Sequence, residues 1–426
     1  MPSFRVKDLT FTSRKKGCSA FTRSSFPQRF GEYIEIRTLD FEFQFNLRGE
    51  IKSIRGLGVH WPHPSEILIR TDGNDWVYHT VGAVIDYIGI KHVIGEYYLP
   101  CPTYRTNVIW EFNPYSDGRF AQAFAAWYQL FGTLYDLLQY QNIPNPVREL
   151  ASLILSNDDG KLLQNSERLH SIINAEISVL PPDARHAGYE VIPLMVADGC
   201  RYHCGFCEVQ SKRPFKVRAK ESIEHQIEQL REFYGPDLSN YASLFLGNHD
   251  ALGISSDLLL WVASHSCSEL QLSSANGCRP YLFMFGSVDS FLEVEDQILE
   301  KLNQLPWLVF INIGFESFDE QTLAQLRKPT GSEKVKQAFH KMLSVNQEYD
   351  RIEVSANFLL GEGLPEEHFR KLVDVLGNLP DLTARKGTIY LSPLMKSRRD
   401  TELLSRFFDI KEKSRLPTFL YLIQRM

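Results

Sequence analysis

Residues 198–208 carry the pattern that decides the fold, and they read Asp198-Gly199-Cys200-Arg201-Tyr202-His203-Cys204-Gly205-Phe206-Cys207-Glu208. Three of the seven cysteines of the chain lie here, with the spacing C-x3-C-x2-C. Thiolates this close together can converge on one soft metal centre, and iron–sulfur clusters take thiolate ligands. In a four-iron cluster, three cysteines leave one iron open for a substrate or cofactor. The stretch therefore predicts an iron–sulfur site with Cys200, Cys204 and Cys207 as its ligands.

The same cysteines allow two other interpretations. A tetrahedral zinc site needs four ligands, and His203 or a distant residue can supply the fourth. A disulfide fits poorly, because the chain has an odd number of cysteines and we expect no secretion signal. The sequence on either side of the cysteines has to distinguish these cases.

Composition predicts a globular protein of two or three domains, with 426 residues, 43% hydrophobic and 23% charged. The net charge of −6 argues against a protein whose main task is to bind nucleic acid. No run of 18 apolar residues occurs and no apolar segment follows the first residues, so we expect neither a membrane span nor a secretion signal. Cysteines without an export signal favour a reducing, cytoplasmic location.

Two segments precede the cysteine region. Residues 1–30 are rich in Ser, Arg and Lys, with Asp8 as the only acid, and we expect a loosely held basic arm. Residues 31–185 are expected to form an α+β domain of unknown type. Apolar residues alternate over 41–47, which predicts a strand, and they recur every three to four residues over 120–138, which predicts one long amphipathic helix.

The cysteines follow an apolar stretch that is typical of a buried strand. Further along the chain, strand-like segments alternate with amphipathic helical ones. This alternation predicts a parallel sheet with right-handed crossovers, and in α/β barrels the chemistry lies at the carboxyl ends of the strands. The six predicted strands are 191–196, 243–246, 281–285, 307–314, 352–360 and 388–391.

Further motifs follow these strands. Residues 245–250 read Phe-Leu-Gly-Asn-His-Asp, residues 313–319 read Ile-Gly-Phe-Glu-Ser-Phe-Asp, and residues 326–328 read Leu-Arg-Lys. Together with the cysteine triplet and the aromatic Phe206 before its last cysteine, they resemble the radical S-adenosylmethionine (radical SAM) superfamily. The resemblance implies an α/β fold, a partial (β/α)6 TIM-type barrel over residues 186–395, preceded by the N-terminal α+β domain.

The resemblance also implies which residues hold the cofactor. The stretch beginning at Gly247 takes the place of the family's glycine-rich motif, which binds the amino group of S-adenosylmethionine. Asn248 and His249 replace that motif's second glycine and acid, so Asp250 is expected to do the acid's work. The implied cofactor-binding residues are Phe206, Gly247, Asn248, His249, Asp250, Glu316, Ser317 and Lys328, and the implied metal ligands are Cys200, Cys204 and Cys207.

Single motifs of this kind also have structural explanations. Glu316 can be an acid favoured at a helix start, and Gly247 can be an ordinary turn. The case therefore depends on the motifs occurring in order and at strand ends.

The resemblance implies one [4Fe-4S] cluster and S-adenosylmethionine as cofactors, with a reductase, flavodoxin or ferredoxin as electron donor. In the resembled mechanism a reduced cluster passes one electron to S-adenosylmethionine, and a 5′-deoxyadenosyl radical then abstracts hydrogen from the substrate. Residues 279–426 contain no cysteine, so a second cluster is not expected. We expect a small metabolite or natural-product intermediate as substrate. Modification of a peptide or RNA, and a redox-sensing or structural cluster without catalysis, are the alternatives.

Expectations for the remaining segments are less specific. The N-terminal domain is expected to cover the barrel mouth, with residues 59–63 over the cluster, and residues 396–426 are expected to close the open side of the barrel. The family's usual cobalamin signature, D-x-H-x-x-G, is absent, because residues 183–188 have the histidine one place too late. His60 and His63 have metal-ligand spacing but no acidic or cysteine partner nearby in sequence, so we expect a structural role for both.

Overall fold

The computed structural model of the chain describes residues 3–17, 31–58, 76–81, 118–175, 180–187, 190–207, 213–247, 249–272, 279–380, 386–394 and 401–425. Its strands are β1 (Ser3–Val6), β2 (Leu9–Lys16), β3 (Glu32–Arg37), β4 (Phe41–Phe45), β5 (Ile51–Gly56), β6 (Trp76–Val81), β7 (Ile192–Met195), β8 (Ala197–Asp198), β9 (Lys216–Val217), β10 (Ser243–Gly247), β11 (Tyr281–Gly286), β12 (Leu308–Glu316), β13 (Ile352–Leu360), β14 (Ile389–Pro393) and β15 (Thr418–Arg425).

The helices alternate with the later strands along the chain. They are α1 (Gly118–Leu138), α2 (Asn145–Leu155), α3 (Asp159–Ile173), α4 (Lys220–Tyr234), α5 (Ser256–Glu269), α6 (Val288–Glu293), α7 (Asp296–Gln304), α8 (Glu320–Gln325), α9 (Ser332–Glu348), α10 (Glu366–Gly377) and α11 (Thr401–Lys413). Within the described part of the chain, no helix is both long enough and apolar enough to cross a membrane.

A parallel sheet with helical crossovers confirms the predicted fold class. The six strands expected from the sequence occupy consecutive positions in it, in the order β7-β10-β11-β12-β13-β14. Every pairing among them is parallel, so their carboxyl ends meet along one edge. These strands are buried on both faces, as is usual for parallel strands in a sheet that helices cover.

Two further strands extend this sheet beyond the predicted barrel. β15, from the C-terminal segment, pairs parallel with β14, and β6 pairs parallel with β15. Residues 76–81 thus belong to the large sheet, whereas the sequence places them in the N-terminal domain. Among the described strands, β6 and β7 are the two edges of an open sheet. Closure of the barrel by residues 396–426 stays a prediction.

The N-terminal residues form a separate antiparallel sheet, in the order β1-β2-β3-β4-β5. Its first two strands lie where the sequence predicts a loose basic arm, so residues 3–16 differ from that prediction. The reason is local, because Leu9 and Phe11 alternate with polar residues and are buried in the core. The predicted long helix is confirmed as α1, whose Trp127 packs against Phe43 and Phe45, with ring centroids 6.3 and 5.8 Å away.

The antiparallel sheet is attached at the amino ends of the barrel strands. Asn240, in the turn between α4 and β10, donates to the carbonyl of Glu32 and accepts from its amide, both at 2.7 Å. Asp237 in the same turn accepts from the amide of Leu47 at 3.1 Å. These contacts lie at the end of the barrel opposite the cysteine loop. Residues 59–63 lie outside the described residues, so coverage of the barrel mouth stays a prediction.

Candidate functional site

The cysteine loop begins at a sharp turn after β7 and β8. Gly199 has φ of +73°, and a Cβ there would clash with the backbone oxygens of Arg213 and Pro214. Only glycine fits this close approach in a left-handed conformation. Cys200 pairs with Pro214 through an isolated bridge, so the segment around β9 braces the start of the loop.

The three predicted ligands lie on one described loop. Cys204 is buried, and Cys200 and Cys207 are half-buried. Burial raises the pKa of the Cys200 thiol and raises that of Cys204 to about 11, while the nearby Lys328 ammonium lowers both. A metal centre that binds these thiols has to displace their protons.

Within the described residues, no three His, Cys, Asp or Glu side chains converge as the ligands of a single ion do. In a [4Fe-4S] cluster each cysteine binds a different iron, so its ligands stand farther apart. The assignment of a cluster to this loop stays a prediction from the sequence motifs.

Two side chains between the first and second cysteines anchor the loop to α6. The Tyr202 hydroxyl donates to Asp289, whose other oxygen is 2.6 Å from the Lys334 ammonium. Arg201 donates to Glu293 at 2.8 Å. The cysteines are thus held by residues that the cysteine spacing alone does not reveal.

The Leu-Arg-Lys segment lies directly on the cysteine loop. The amide of Gly205 donates to the carbonyl of Leu326 at 2.9 Å, and a Cβ at Gly205 would lie 2.9 Å from Cδ of Arg327. Lys328 places its ammonium 5.1 Å from the ring centroid of Tyr202. Phe206 is half-buried and packs against the hydrophobic core. The structure therefore brings the Leu-Arg-Lys segment into contact with the cysteine loop.

Glu316 ends β12 in an unusual backbone conformation. Its φ is +67°, and the pairing with β13 shifts register between Gly314 and Glu316. A Cβ at Gly314 would lie 2.5 Å from Oε1 of Glu316, so glycine leaves room for the carboxylate to turn back over the strand. The Lys328 ammonium lies 3.6 Å from that oxygen. Burial raises the pKa of Glu316, and Lys328 opposes the increase.

Ser317 has a different environment from its neighbour. It is fully buried, and its hydroxyl lies 2.8 Å from Nδ1 of His368, whose Nε2 faces the carbonyl of Leu359 at 2.9 Å. A carbonyl only accepts, so Nε2 carries the proton and Nδ1 accepts from the Ser317 hydroxyl. The same hydroxyl accepts from the amide of Asp319 at 3.0 Å. Ser317 thus fixes the turn that presents Glu316, and sequence reasoning missed its partner His368.

The motif after β10 is only partly described, because Asn248 lies outside the described residues. A Cβ at Gly247 would lie 2.7 Å from Cε of Met195, so this glycine permits close packing with β7. Oδ1 of Asp250 accepts from the Ser287 amide at 3.1 Å and the Ser290 hydroxyl at 2.6 Å. Its Oδ2 is buried and has no hydrogen-bond partner among the described residues.

The environment of this motif is desolvated. Burial raises the pKa of Asp250 and lowers that of the half-buried His249. A buried carboxylate oxygen without a donor is costly, so the Asp250 oxygen is a candidate acceptor for a ligand.

A polar column crosses the inner face of the barrel below these motifs. Asp183, fully buried in the turn Pro182–Ala187, accepts from the hydroxyls of Ser355 and Tyr390. Ser355 accepts from Asn312 at 2.7 Å, and Asn312 exchanges hydrogen bonds with Asn357. Because the Asp183 carboxylate can only accept, the column fixes which way both amides point. Asp183 lies in the segment tested above for a cobalamin signature.

Comparison with known proteins agrees with the sequence motifs. Residues 194–376 match the profile of the Radical SAM superfamily, so this part of the chain is a radical SAM domain. The family of that domain implies a [4Fe-4S] cluster and S-adenosylmethionine as cofactors. No curated protein matches the chain.

Several solved structures are similar to this chain at low identity. A radical SAM methyltransferase from Sphaerobacter thermophilus shares 15% identity with a TM-score of 0.34, over 54% of this chain and 66% of its own. The cobalamin-dependent S-adenosylmethionine radical enzyme OxsB shares 16% with a TM-score of 0.33, over 53% and 31%. Methylornithine synthase shares 14% with a TM-score of 0.34, over 67% and 78%. The match to the first two spans less than two thirds of their length.

Proposed function

We propose that the chain binds a single [4Fe-4S] cluster through Cys200, Cys204 and Cys207 and uses it to cleave S-adenosylmethionine reductively, which starts radical chemistry on a small-molecule substrate. The observation that carries this proposal is the packing of residues 326–328 on the cysteine loop. That packing brings Lys328, and with it Glu316, to the thiols. Among the described residues, the one further cysteine is Cys267, which is buried in α5 and does not belong to a second cysteine motif.

The residues around the loop have separate tasks in this proposal. When bound, the reduced cluster supplies the single electron that breaks a carbon–sulfur bond of S-adenosylmethionine. Glu316 accepts from ribose hydroxyls or from the ammonium, and the buried Asp250 oxygen accepts from the ammonium. Ser317 and Gly314 hold the Glu316 carboxylate in position. The burial of Glu316, Ser317 and Asp250 keeps water away from the reacting groups.

The inner face of the barrel offers a place for the substrate. Phe285, Gly314, Asn357 and Ser392 are half-buried, although their neighbours along each strand are almost all buried. Side chains alternate along a strand, and Phe358 packs outward against Phe339 of α9, so Asn357 points inward. Of these positions, Gly314 and Asn357 are direct register partners just before Glu316, so they place accessible surface close to that residue. An apolar wall with a few fixed polar groups is typical of small-molecule sites.

Asn357 gives this surface a preference for a polar group on the substrate. Its amide is oriented by the column through Asn312 and presents one donor and one acceptor to the space inside the barrel. We propose that the substrate carries a polar group with a matching acceptor and donor. A peptide or RNA is the second candidate, and the electron donor and a reducing compartment belong to the proposal as well.

Incubation of anaerobically reconstituted protein with S-adenosylmethionine and dithionite tests the proposal. An enzyme produces 5′-deoxyadenosine, which chromatography with mass detection quantifies. The variant Cys204→Ala is the matched control and should produce none. A protein that holds four irons yet yields no 5′-deoxyadenosine would instead be a redox sensor or a structural cluster protein.

A further inference from the structure

We propose that a basic surface beside the cysteine loop, formed by Arg213, Lys216, Lys220 and Arg327, docks an acidic one-electron donor protein of the flavodoxin or ferredoxin class. The inference rests on the proposed function, since it is the cluster that needs the electron. It goes further by assigning the docking face to particular residues.

Charge is the first argument. The chain has a net charge of −6, yet residues 197–220 contain six Lys or Arg and two Asp or Glu. Of the two acids, Asp198 is held by Arg218 at 2.6 Å. Arg213, Lys216 and Lys220 are exposed. This local positive charge on an acidic protein favours an acidic partner and steers its approach.

Position is the second argument. β9 pairs with β8 directly before the loop, and Gly199 lies against the backbone of Arg213 and Pro214. At the middle of the loop, Arg327 is exposed and its side chain covers Gly205. Basic residues therefore lie beside both the start and the middle of the loop.

Access to the cluster is the third argument. Cys200 and Cys207 are half-buried, so a cluster bound through them would be close to solvent beside this surface. The opposite end of the barrel carries the N-terminal sheet. Electron transfer slows steeply with distance, and a donor docked on the basic surface takes the short route. One electron leaves the reduced flavin or iron–sulfur centre of the donor and reduces the cluster, and no bond forms or breaks.

The middle of the surface suits a protein partner. Val217 is 38% exposed between the basic residues, and the Lys220 ammonium lies 4.4 Å from the ring centroid of Trp261. Protein interfaces combine an apolar centre with a polar rim. A nucleic acid would require positive charge along a continuous track, and the overall charge of the chain opposes it.

The test compares two triple charge reversals in the cluster-loaded protein. One variant carries Arg213→Glu, Lys216→Glu and Lys220→Glu, and a milder version carries Gln at the same positions. The control carries Glu at Lys161, Arg279 and Lys301, which are exposed and lie away from the cysteine loop. The dissociation constant of a bacterial flavodoxin is measured by calorimetry at low salt, and 5′-deoxyadenosine formation is measured with reduced flavodoxin and with dithionite.

We expect the reversal to raise the dissociation constant and to slow flavodoxin-driven turnover by about tenfold or more, the Gln variant to fall between, and the control to match the parent. Dithionite-driven turnover should be unchanged in all of these variants, since dithionite is a small molecule that needs no docking surface. Equal flavodoxin affinity in the parent and in the charge-reversal variant would overturn the proposal. Binding of bulk tRNA is compared in the same two proteins, and a reversal that weakens tRNA binding but not flavodoxin binding would also overturn it. A parent inactive with dithionite would contradict the proposed function, whereas the affinities would still decide the docking surface.

Discussion

The ammonium nitrogen of Lys328 lies 3.6 Å from Oε1 of Glu316, and each residue is only 8% exposed. The pair joins two residues with eleven others between them in the sequence, one at the end of β12 and one in the segment that lies on the cysteine loop. Removal of one partner from a buried pair leaves an uncompensated charge, at a cost of about 3–5 kcal/mol. The pair therefore couples the expected cofactor site to the cluster loop.

Glu316→Ala should weaken S-adenosylmethionine binding by roughly tenfold or more, because a charge-assisted contact contributes about 1.5–3 kcal/mol. Iron content should stay at the parent level, since Glu316 is not a cluster ligand. Calorimetric titration of the cluster-loaded variant measures the effect, with Glu320→Ala on the exposed start of α8 as control. An unchanged dissociation constant would remove Glu316 from the cofactor site.

Gly314→Ala should have a similar effect without removing a charged group. The new methyl group would meet Oε1 of Glu316 at 2.5 Å and displace the carboxylate. Gly132→Ala is the matched control, because a Cβ there meets nothing within 4 Å and alanine favours a helix by about 0.5–1 kcal/mol. We expect S-adenosylmethionine affinity to fall at least severalfold in the first variant only. Equal affinities in both would show that the room beside Gly314 does not matter.

Tyr202→Phe should loosen the cysteine loop. It removes the hydroxyl that bonds to Asp289 and leaves a carboxylate with one donor fewer, which costs about 1–3 kcal/mol. The release of iron to a chelator should become faster by about tenfold. Tyr128→Phe removes a comparable bond to Asp159, 3.1 Å long and exposed, and should leave iron release unchanged. Identical release rates would mean that the tyrosine does not hold the loop.

Asp183 should make stability depend on pH. Burial raises its pKa to about 6 from an ordinary 3.8, so the folded protein binds a proton more tightly than the unfolded chain. Stability from this group is therefore present below about pH 4 and is lost as pH rises through about 6. The loss amounts to about 3 kcal/mol for a shift of about two units.

Urea denaturation of the parent and of Asp183→Asn at pH 4.5 and pH 7 measures the pH-dependent contribution of Asp183 to the free energy of unfolding. The parent should lose stability relative to the variant as the pH rises, because only the parent has a carboxyl to ionise there. If the difference in the free energy of unfolding between the parent and Asp183→Asn stays constant with pH, Asp183 keeps an ordinary pKa.

The sequence predicts local features of this protein better than long-range ones. The strand that begins at Tyr281 is expected over 281–285 and found as Tyr281–Gly286, because a short apolar run is visible without its neighbours. The pairing of residues 76–81 with β15 depends on about 340 intervening residues and leaves no local signal. The bond between Ser317 and His368 spans 51 residues and is equally invisible. Motif order at strand ends leads to the candidate site residues, which stay predictions, whereas the partners that hold them are seen only in the fold.

Iron and sulfide analysis of anaerobically reconstituted protein, together with electron paramagnetic resonance, tests the central claim most directly. The parent and Cys267→Ala should each contain four irons and four sulfides per chain, and the signal of the reduced cluster should change when S-adenosylmethionine binds its open iron. A variant with alanine at Cys200, Cys204 and Cys207 should contain none. Four irons in that variant, zinc in the parent, or a signal that ignores S-adenosylmethionine would contradict the account.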